Sequence, residues 1–189
     1  MVDLKKLRED LILKGKHSPK FKVVAEKYVK GNDAKYTELD NLERSGAINQ
    51  RDAEVLYDLI KKHKIKTVFE IGTWFGTSAL MMAEAGAKVW TCDIKDYYVA
   101  DHPGIYFRQG SSSKMLRELK GLKFGLVFMD GRFRNDDCRR ISRICKIFVT
   151  HDYKKGKKGI RNIREMKKRW PEAKLTKPCE GSTVAVLIK

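Results

Sequence analysis

The stretch KTVFEIGTWFGTSAL, residues 66–80, decides which fold this chain can adopt. Its first part, through Ile71, is a short run rich in β-branched and aromatic residues, which predicts a buried strand. Gly72 and Gly76 then bracket a tight turn, and residues 79–83 have the composition and spacing of a helix. In an open parallel sheet, ligands bind at such a strand–loop–helix junction, because glycines let them approach the backbone and the helix offers free N–H groups.

Composition predicts one globular domain in a reducing compartment. The 189 residues, 42% of them hydrophobic, leave room for a sizeable core. No apolar run approaches the ~20 residues that span a membrane, and the N-terminus lacks a signal-peptide core. The four cysteines are scattered without a C-x-x-C pair, which predicts neither a zinc site nor a disulfide framework. We therefore expect a cytoplasmic protein without a membrane partner.

The net charge of +17, from 41 Lys and Arg against 24 Asp and Glu, is the unusual feature of the composition. Such an excess is typical of polyanion binders, and it is also a common means of staying soluble. Lysines are spread through 5–30, 61–66, 114–123 and 154–177 and rarely interleave with aromatic residues that the pattern predicts to be exposed. This pattern forms no compact stacking platform. Nucleic acid is therefore the less favoured partner, although it is not excluded.

The hydrophobic patterns divide the chain into a helical N-terminal extension, residues 1–48, and one α/β domain, residues 49–189. Apolar residues at helical intervals predict two helices in the extension, at 3–14 and 19–30. A further helix at 49–63 leads into the first strand. No internal repeat and no low-complexity linker interrupts the domain.

Six more strands follow the glycine loop. They are predicted at 88–93, 105–108, 124–129, 147–150, 173–177 and 183–188. The last two are joined so briefly that they must pair as an antiparallel hairpin. The sequence thus predicts a Rossmann-like, mostly parallel sheet of seven strands with one reversed strand.

Polar residues gather where these strands end. Asp93 ends the second strand, 17 residues after Gly76, and an acid at that place in doubly wound folds accepts hydrogen bonds from ribose hydroxyls. Asp130 follows the very apolar fourth strand, and His151-Asp152 follows the fifth. Because neighbouring parallel strands end at the same edge, we expect these groups to converge near the glycine loop.

The pattern E-x-G-x-x-x-G resembles motif I of class I S-adenosyl-L-methionine (SAM) methyltransferases and departs from the G-x-G-x-x-G of dinucleotide binders. The terminal hairpin is also typical of that family. Within it, the motifs EIGTWFGTSA, MDG and VTHDY are similar to those of small-molecule and sugar O-methyltransferases of the catechol and macrocin types. The resemblance implies cofactor contacts from residues of the strand ends and loops, namely Glu70, Gly72, Thr73, Trp74, Gly76, Thr77, Ser78, Asp93, Ile94, Gly110, Ser111 and Asp130. Ser111 is equally a plausible helix N-cap.

The same resemblance implies where catalysis occurs. Asp130 and Asp152 match the carboxylates that hold Mg²⁺ or Mn²⁺ in metal-dependent relatives, whereas His151 stands where some relatives have Asp. Tyr153 falls where catechol-type enzymes have Asn, which leaves the third metal ligand open. Either a hard cation lowers the pKa of the acceptor hydroxyl, or His151 or an Asp takes its proton directly. The substrate contacts implied beside them are Arg132, Arg134 and Tyr153.

The resemblance implies a SAM-dependent O-methyltransferase acting on a small-molecule hydroxyl, foremost that of a sugar or glycan. Two alternatives stay open. A SAM-dependent RNA methyltransferase would use the basic surface. A nicotinamide-dependent reductase would share the first two motifs, but its glycine loop would require a third glycine, and its fold would not need the C-terminal hairpin. The sequence leaves the oligomeric state open, a homodimer included.

Overall fold

Helices and strands alternate through the part of the chain that the computed structural model describes, which is Lys6 and residues 48–189 except 99, 101, 132–134 and 155–156. The two helices expected in the extension lie, apart from Lys6, outside these residues. In chain order the elements are α1 (Gln50–Lys62), β1 (Thr67–Ile71), α2 (Thr77–Glu84), β2 (Lys88–Asp93), β3 (Ile105–Gln109), α3 (Ser112–Glu118), β4 (Phe124–Met129), α4 (Asn135–Ile144), β5 (Cys145–Thr150), α5 (Lys158–Lys167), β6 (Lys174–Thr176) and β7 (Ala185–Ile188).

The seven strands form one sheet in the order β3-β2-β1-β4-β5-β7-β6. Strand β7 runs antiparallel to both of its neighbours, β5 and β6, and the pairs among β1 to β5 are parallel. The predicted Rossmann-like sheet with a C-terminal hairpin is therefore confirmed. None of the helices in the described ranges has the length and apolar character needed to cross a membrane.

Each face of the sheet is covered by its own hydrophobic core, because successive residues of a strand point to opposite faces. On one face, α1 and α2 pack over side chains such as Val68 and Phe128. On the other, α3, α4 and α5 cover Phe69 and Phe148, among others. Burying one large apolar side chain contributes roughly 1.5–3 kcal/mol. The strand ends are thereby held rigidly between two helical layers.

Helix α1 carries a charged residue on its buried stripe. Asn49 caps the helix by accepting a hydrogen bond from the Asp52 amide, 2.8 Å away. Leu56 and Ile60 lie four and eight residues after Asp52, on the same side of the helix, and all three are buried. The helix therefore presents a carboxylate to the interior at its first turn.

Strand β7 begins two residues later than the predicted 183–188. The amide and hydroxyl of Thr183 bind Asp52 at 2.7 and 3.2 Å, and the amide of Val184 binds the Ser182 hydroxyl. Residues 183 and 184 are thus engaged outside the strand ladder. The turn before β7 is held by α1, and the ladder starts only at Ala185.

Candidate active site

The glycine loop after β1 needs both of its glycines. Gly72 and Gly76 have φ of 97° and 93°, in the left-handed region that favours glycine. A Cβ on Gly72 would lie 3.2 Å from the carbonyl carbon of Asp130. A Cβ on Gly76 would lie 2.9 Å from side-chain atoms of Tyr98 and Ala100. The loop is therefore packed between the end of β4 and the segment that follows β2.

Three of the residues expected to contact the cofactor also connect the elements around the loop. Glu70 is fully buried and accepts hydrogen bonds from the hydroxyls of Ser78 and Thr91. The Thr91 hydroxyl also pairs with that of Thr73. Burial raises the pKa of Glu70 to about 8, despite these hydrogen bonds. Glu70, Thr73 and Ser78 thus tie β1, α2 and β2 together beneath the loop.

Asp93 lies beside the loop, as the sequence predicts. Its carboxylate accepts hydrogen bonds from the amides of Trp74, at 3.0 Å, and Lys95, at 3.2 Å. Two carboxylate oxygens have about four lone-pair sites, so capacity remains for ribose hydroxyls. Next to it, Ile94 is 70% exposed, an unusual state for a large apolar side chain. This pair offers a polar group and an apolar surface, which suits the ribose and the adenine of a nucleoside.

Thr77 provides a test of whether the loop fits SAM. Its side chain is only 3% exposed, yet its hydroxyl has no hydrogen-bond partner among the described residues. Buried hydroxyls are nearly always bonded, so an unpaired one beside the loop is available to bond a ligand or a water. It is the first residue of α2, where the helix end favours an anion such as the methionine carboxylate. The loop therefore fits the cofactor that the sequence predicts.

The loop after β3 has both of its expected features. Ser111 caps α3, accepting a hydrogen bond from the Lys114 amide at 3.3 Å. Gly110 and Ser111 also border a cavity of about 530 Å³ next to the end of β2. Ser112 and Ser113 donate to the buried carboxylate of Asp137 and so join α3 to α4. Ser112 and Ser113 are therefore structural, whereas Gly110 and Ser111, the two predicted cofactor residues of this loop, border the cavity.

A histidine between two aspartates occupies the ends of β4 and β5. His151 Nδ1 lies 2.9 Å from Asp130 Oδ1, and its Nε2 lies 3.1 Å from Asp52 Oδ2. Asp52 is itself fully buried, and Ser182 and Thr183 donate to it. The cluster thereby links α1, the strand ends and the turn before β7.

The charge state of His151 follows from these neighbours. Burial by itself would lower the pKa of His151, but the hydrogen bonds and charges of Asp130 and Asp52 outweigh it and raise the pKa to about 10. Burial likewise tends to raise the pKa of Asp52, whereas the hydrogen bonds of His151, Thr183 and Ser182 bring it below its ordinary value. At neutral pH both ring nitrogens therefore carry protons and donate to carboxylates.

Lys158, the first residue of α5, brings an ammonium group to the same place. Its Nζ lies 2.8 Å from Asp130 Oδ1 and 3.6 Å from Asp152 Oδ2, and it also donates to the main-chain carbonyl of Asp130. The close approach of α5 requires Gly159, because a Cβ there would lie 2.5 Å from the carbonyl oxygen of His151. The absence of a side chain at residue 159 therefore allows Lys158 to reach Asp130.

Asp152 is the most accessible member of the cluster. Its side chain is 35% exposed, against 14% for that of Asp130. Its backbone φ of 57° is in the left-handed region, which non-glycine residues seldom adopt outside turns and functional sites. The side chain of Asp152 is therefore the carboxylate most open to a substrate.

The residues expected to bind a metal are together, but their contacts do not suit one. Ligand atoms of Asp130, His151 and Asp152 all lie within 4.8 Å of one another. However, a ligating imidazole needs a free lone pair, and both nitrogens of His151 bind carboxylates. The space between Asp130 and Asp152 already receives the Lys158 ammonium. As arranged, the cluster does not fit a divalent ion.

The expected substrate residues are only partly described. Arg132 and Arg134 lie outside the described residues. Tyr153 is half-buried against the second core, and its amide donates to Thr183. Sequence reasoning missed Asp52 and Lys158. An acid on the apolar stripe of α1 was a usable signal for Asp52, whereas a lysine in a basic loop offered none.

No family model matches this chain, and no curated protein matches its sequence. Solved structures do match its fold. A Klebsiella pneumoniae protein assigned as an O-methyltransferase has 14% identity, a TM-score of 0.60 and 90% of each chain covered. A Staphylococcus aureus protein assigned as a caffeoyl-CoA O-methyltransferase has 16% identity and a TM-score of 0.61, with 89% of this chain and 98% of that chain covered. The Bacillus cereus O-methyltransferase in complex with S-adenosylhomocysteine (SAH) has 13% identity and a TM-score of 0.55, with 89% and 96% covered. The chain therefore has the fold of SAM-dependent O-methyltransferases.

Proposed function

We propose that this protein is a SAM-dependent O-methyltransferase that methylates a hydroxyl of a small molecule, foremost a sugar or glycan. One observation carries the proposal: the glycine loop after β1 and the charged cluster lie at the same edge of the sheet, where Gly72 packs directly on Asp130. The carboxyl edge of an open α/β sheet is the usual ligand site of this architecture. The SAH-bound relative of the same fold supports the identity of the cofactor.

Each part of the loop has a role in holding the cofactor. Asp93 binds the ribose hydroxyls, and the exposed side chain of Ile94 covers the adenine. The Thr77 hydroxyl and the start of α2 bind the methionine carboxylate. SAM supplies an activated methyl group when it is bound, so the protein has mainly to orient the acceptor and remove its proton.

The charged cluster supplies the group that removes the proton. Three carboxylates (Asp52, Asp130 and Asp152) face two cations (His151 and Lys158), which leaves one negative charge in excess. The doubly protonated His151 has no free lone pair to act as a base. Asp152 is the most exposed carboxylate, and we assign to it the role of the base that accepts the proton of the acceptor hydroxyl. His151 holds Asp130 in place, and Asp52 holds His151.

Calorimetric titration with SAH tests the cofactor. We expect micromolar binding of SAH and SAM and no comparable binding of NADH. Asp93→Ala should weaken SAH binding by about 1–3 kcal/mol, because charge-assisted hydrogen bonds to the ribose are lost. Glu172→Ala, at an exposed acid between α5 and β6, is the control and should bind normally. Unchanged SAH affinity in Asp93→Ala would remove the ribose assignment.

Transfer of radiolabelled methyl from SAM tests the reaction. Free sugars, glycans, catechols and RNA are offered as acceptors, and label in a small hydroxyl compound is the expected result. Asp152→Asn should lower this transfer by about 10²–10⁴-fold while SAH binding persists, since a general base is lost. Label in RNA alone would favour the nucleic-acid alternative.

A further inference from the structure

Three oxygen atoms surround the ammonium group of Lys158. They are Asp130 Oδ1 at 2.8 Å, Asp152 Oδ2 at 3.6 Å and the main-chain carbonyl of Asp130. An ammonium group has three protons, so each oxygen can face one of them. Carboxylate and carbonyl oxygens are also the ligands that Mg²⁺ and Mn²⁺ prefer. The ammonium therefore lies where a divalent ion between these strand ends would have to lie.

The surroundings of Lys158 hold it in that position. The side chain is 25% exposed and belongs to the first residue of α5. Asn162, one turn further along that helix, donates to the Gly131 carbonyl and to Thr150, both at 3.1 Å. Gly159 lets the helix start touch the backbone after β5. The lysine is thus anchored by contacts on both strand ends.

We propose that Lys158 is the resident cation of this site and replaces a divalent metal, so that methyl transfer needs no metal ion. The catalytic part of this inference rests on the function proposed above. The acceptor oxygen forms a bond to the methyl carbon, while the sulfur–carbon bond breaks and its electron pair passes to sulfur. The hydroxyl proton goes to Asp152. The Lys158 ammonium stabilises the negative charge that develops on the acceptor oxygen.

Binding of Mn²⁺ to metal-stripped protein tests the location of the cation. Wild type is expected to bind no Mn²⁺ below about 1 mM by electron paramagnetic resonance. Lys158→Ala should bind at least about 10-fold more tightly, because the three oxygens become available to a hard cation. Lys157→Ala is the matched control: it removes one charge at an adjacent, exposed residue whose side chain makes no capping hydrogen bond. It should behave as wild type.

Two results would overturn the proposal. One is equal Mn²⁺ affinity in wild type and Lys158→Ala, whether tight or weak. The other is tight binding by wild type that Asp130→Asn abolishes. Lys158→Met, which keeps an unbranched apolar stem, serves as a second variant if Lys158→Ala does not fold. In either variant, adding Asp130→Asn should remove the Mn²⁺ affinity that was gained.

Activity gives an independent readout. Wild-type transfer should survive EDTA, and Lys158→Met should lose about 10–100-fold in kcat with SAH affinity retained. Mg²⁺ or Mn²⁺ should restore part of the transfer in the Lys158 variants and should leave that of wild type unchanged. Loss of wild-type transfer with EDTA would overturn the proposal. A protein that binds no SAH would contradict the proposed function, whereas the Mn²⁺ comparison would still decide which cation occupies the site.

Discussion

At the residue scale, a substitution of Thr77 should weaken cofactor binding without lowering the stability of the fold. Its hydroxyl is buried without a partner among the described residues, so the protein gains nothing from it when it is alone. Thr77→Val keeps the shape of the side chain and removes only the hydroxyl. We expect SAH affinity to fall roughly 5- to 30-fold, which corresponds to a loss of about 1–2 kcal/mol in binding free energy. The urea midpoint should be unchanged or slightly higher.

Thr91→Val is the matched comparison for that prediction. The Thr91 hydroxyl donates to the buried Glu70 and pairs with Thr73. Its removal leaves part of a buried carboxyl group unpaired, at a cost of about 1–3 kcal/mol in unfolding free energy. Opposite rankings, with Thr77→Val unstable and Thr91→Val normal, would contradict our assignment of the two hydroxyls.

At the scale of elements, the contact between α5 and the end of β5 depends on the absence of a side chain at residue 159. A Cβ in Gly159→Ala would lie 2.5 Å from the His151 carbonyl oxygen and 2.7 Å from Asp152 backbone atoms, and backbone cannot yield cheaply. We expect a loss of about 1–3 kcal/mol in unfolding free energy, measured by urea denaturation. Gly131→Ala is the control, since its nearest neighbour would be a side-chain methyl at 3.4 Å. Equal stability of the two variants would show that α5 shifts freely.

Helices, strands and loops were predictable where the sequence pattern that indicates them is contiguous. The glycine loop, the strand ends at Asp93 and Asp130 and the terminal hairpin all follow from short local patterns, and the fold follows from them. Contacts between a helix and a strand end that is distant in sequence carry no such pattern. Asp52 meets His151 across 99 positions, and Lys158 meets Asp130 across 28, from helices on opposite faces of the sheet. The charge state of His151 depends on such contacts, which is why the sequence left its role open.

At the scale of the whole molecule, the stability should depend on pH through His151. Its folded pKa, about 10, lies above its ordinary value of 6.5. The stabilisation it provides is therefore fully present below about pH 6.5 and is lost as the pH rises through 10. The free energy of unfolding of wild type, relative to that of His151→Gln, should decline over this window by at most about 1.4 kcal/mol per pH unit.

Urea denaturation at several pH values between 6 and 9.5 measures this difference. The matched control variant is His63→Gln, which makes the same substitution at an exposed histidine. A constant difference between wild type and His151→Gln across the window would mean that folding does not raise the pKa of His151, and a role as a general base would again be possible.

The distribution of charge over the molecule also bears on its substrate. At the amino ends of β1, β4 and β5, a cavity of about 980 Å³ is lined by basic residues, namely His63, Lys64, Lys66, Lys123, Arg143, Lys146 and Lys189. No Asp or Glu is among the described residues that line it. This surface lies at the edge of the sheet opposite the candidate active site. This basic cavity is therefore badly placed to present RNA to the methyl donor.

The covalent attachment of the Lys158 ammonium changes how the site would respond to its surroundings. A dissociable ion fills a site by mass action, so its occupancy rises and falls with the free concentration of that ion. A tethered cation is supplied at a fixed ratio of one to one and at a constant effective concentration. The rate of such an enzyme would be unaffected by metal starvation or by chelating metabolites. In exchange, it has a single positive charge where Mg²⁺ would provide two.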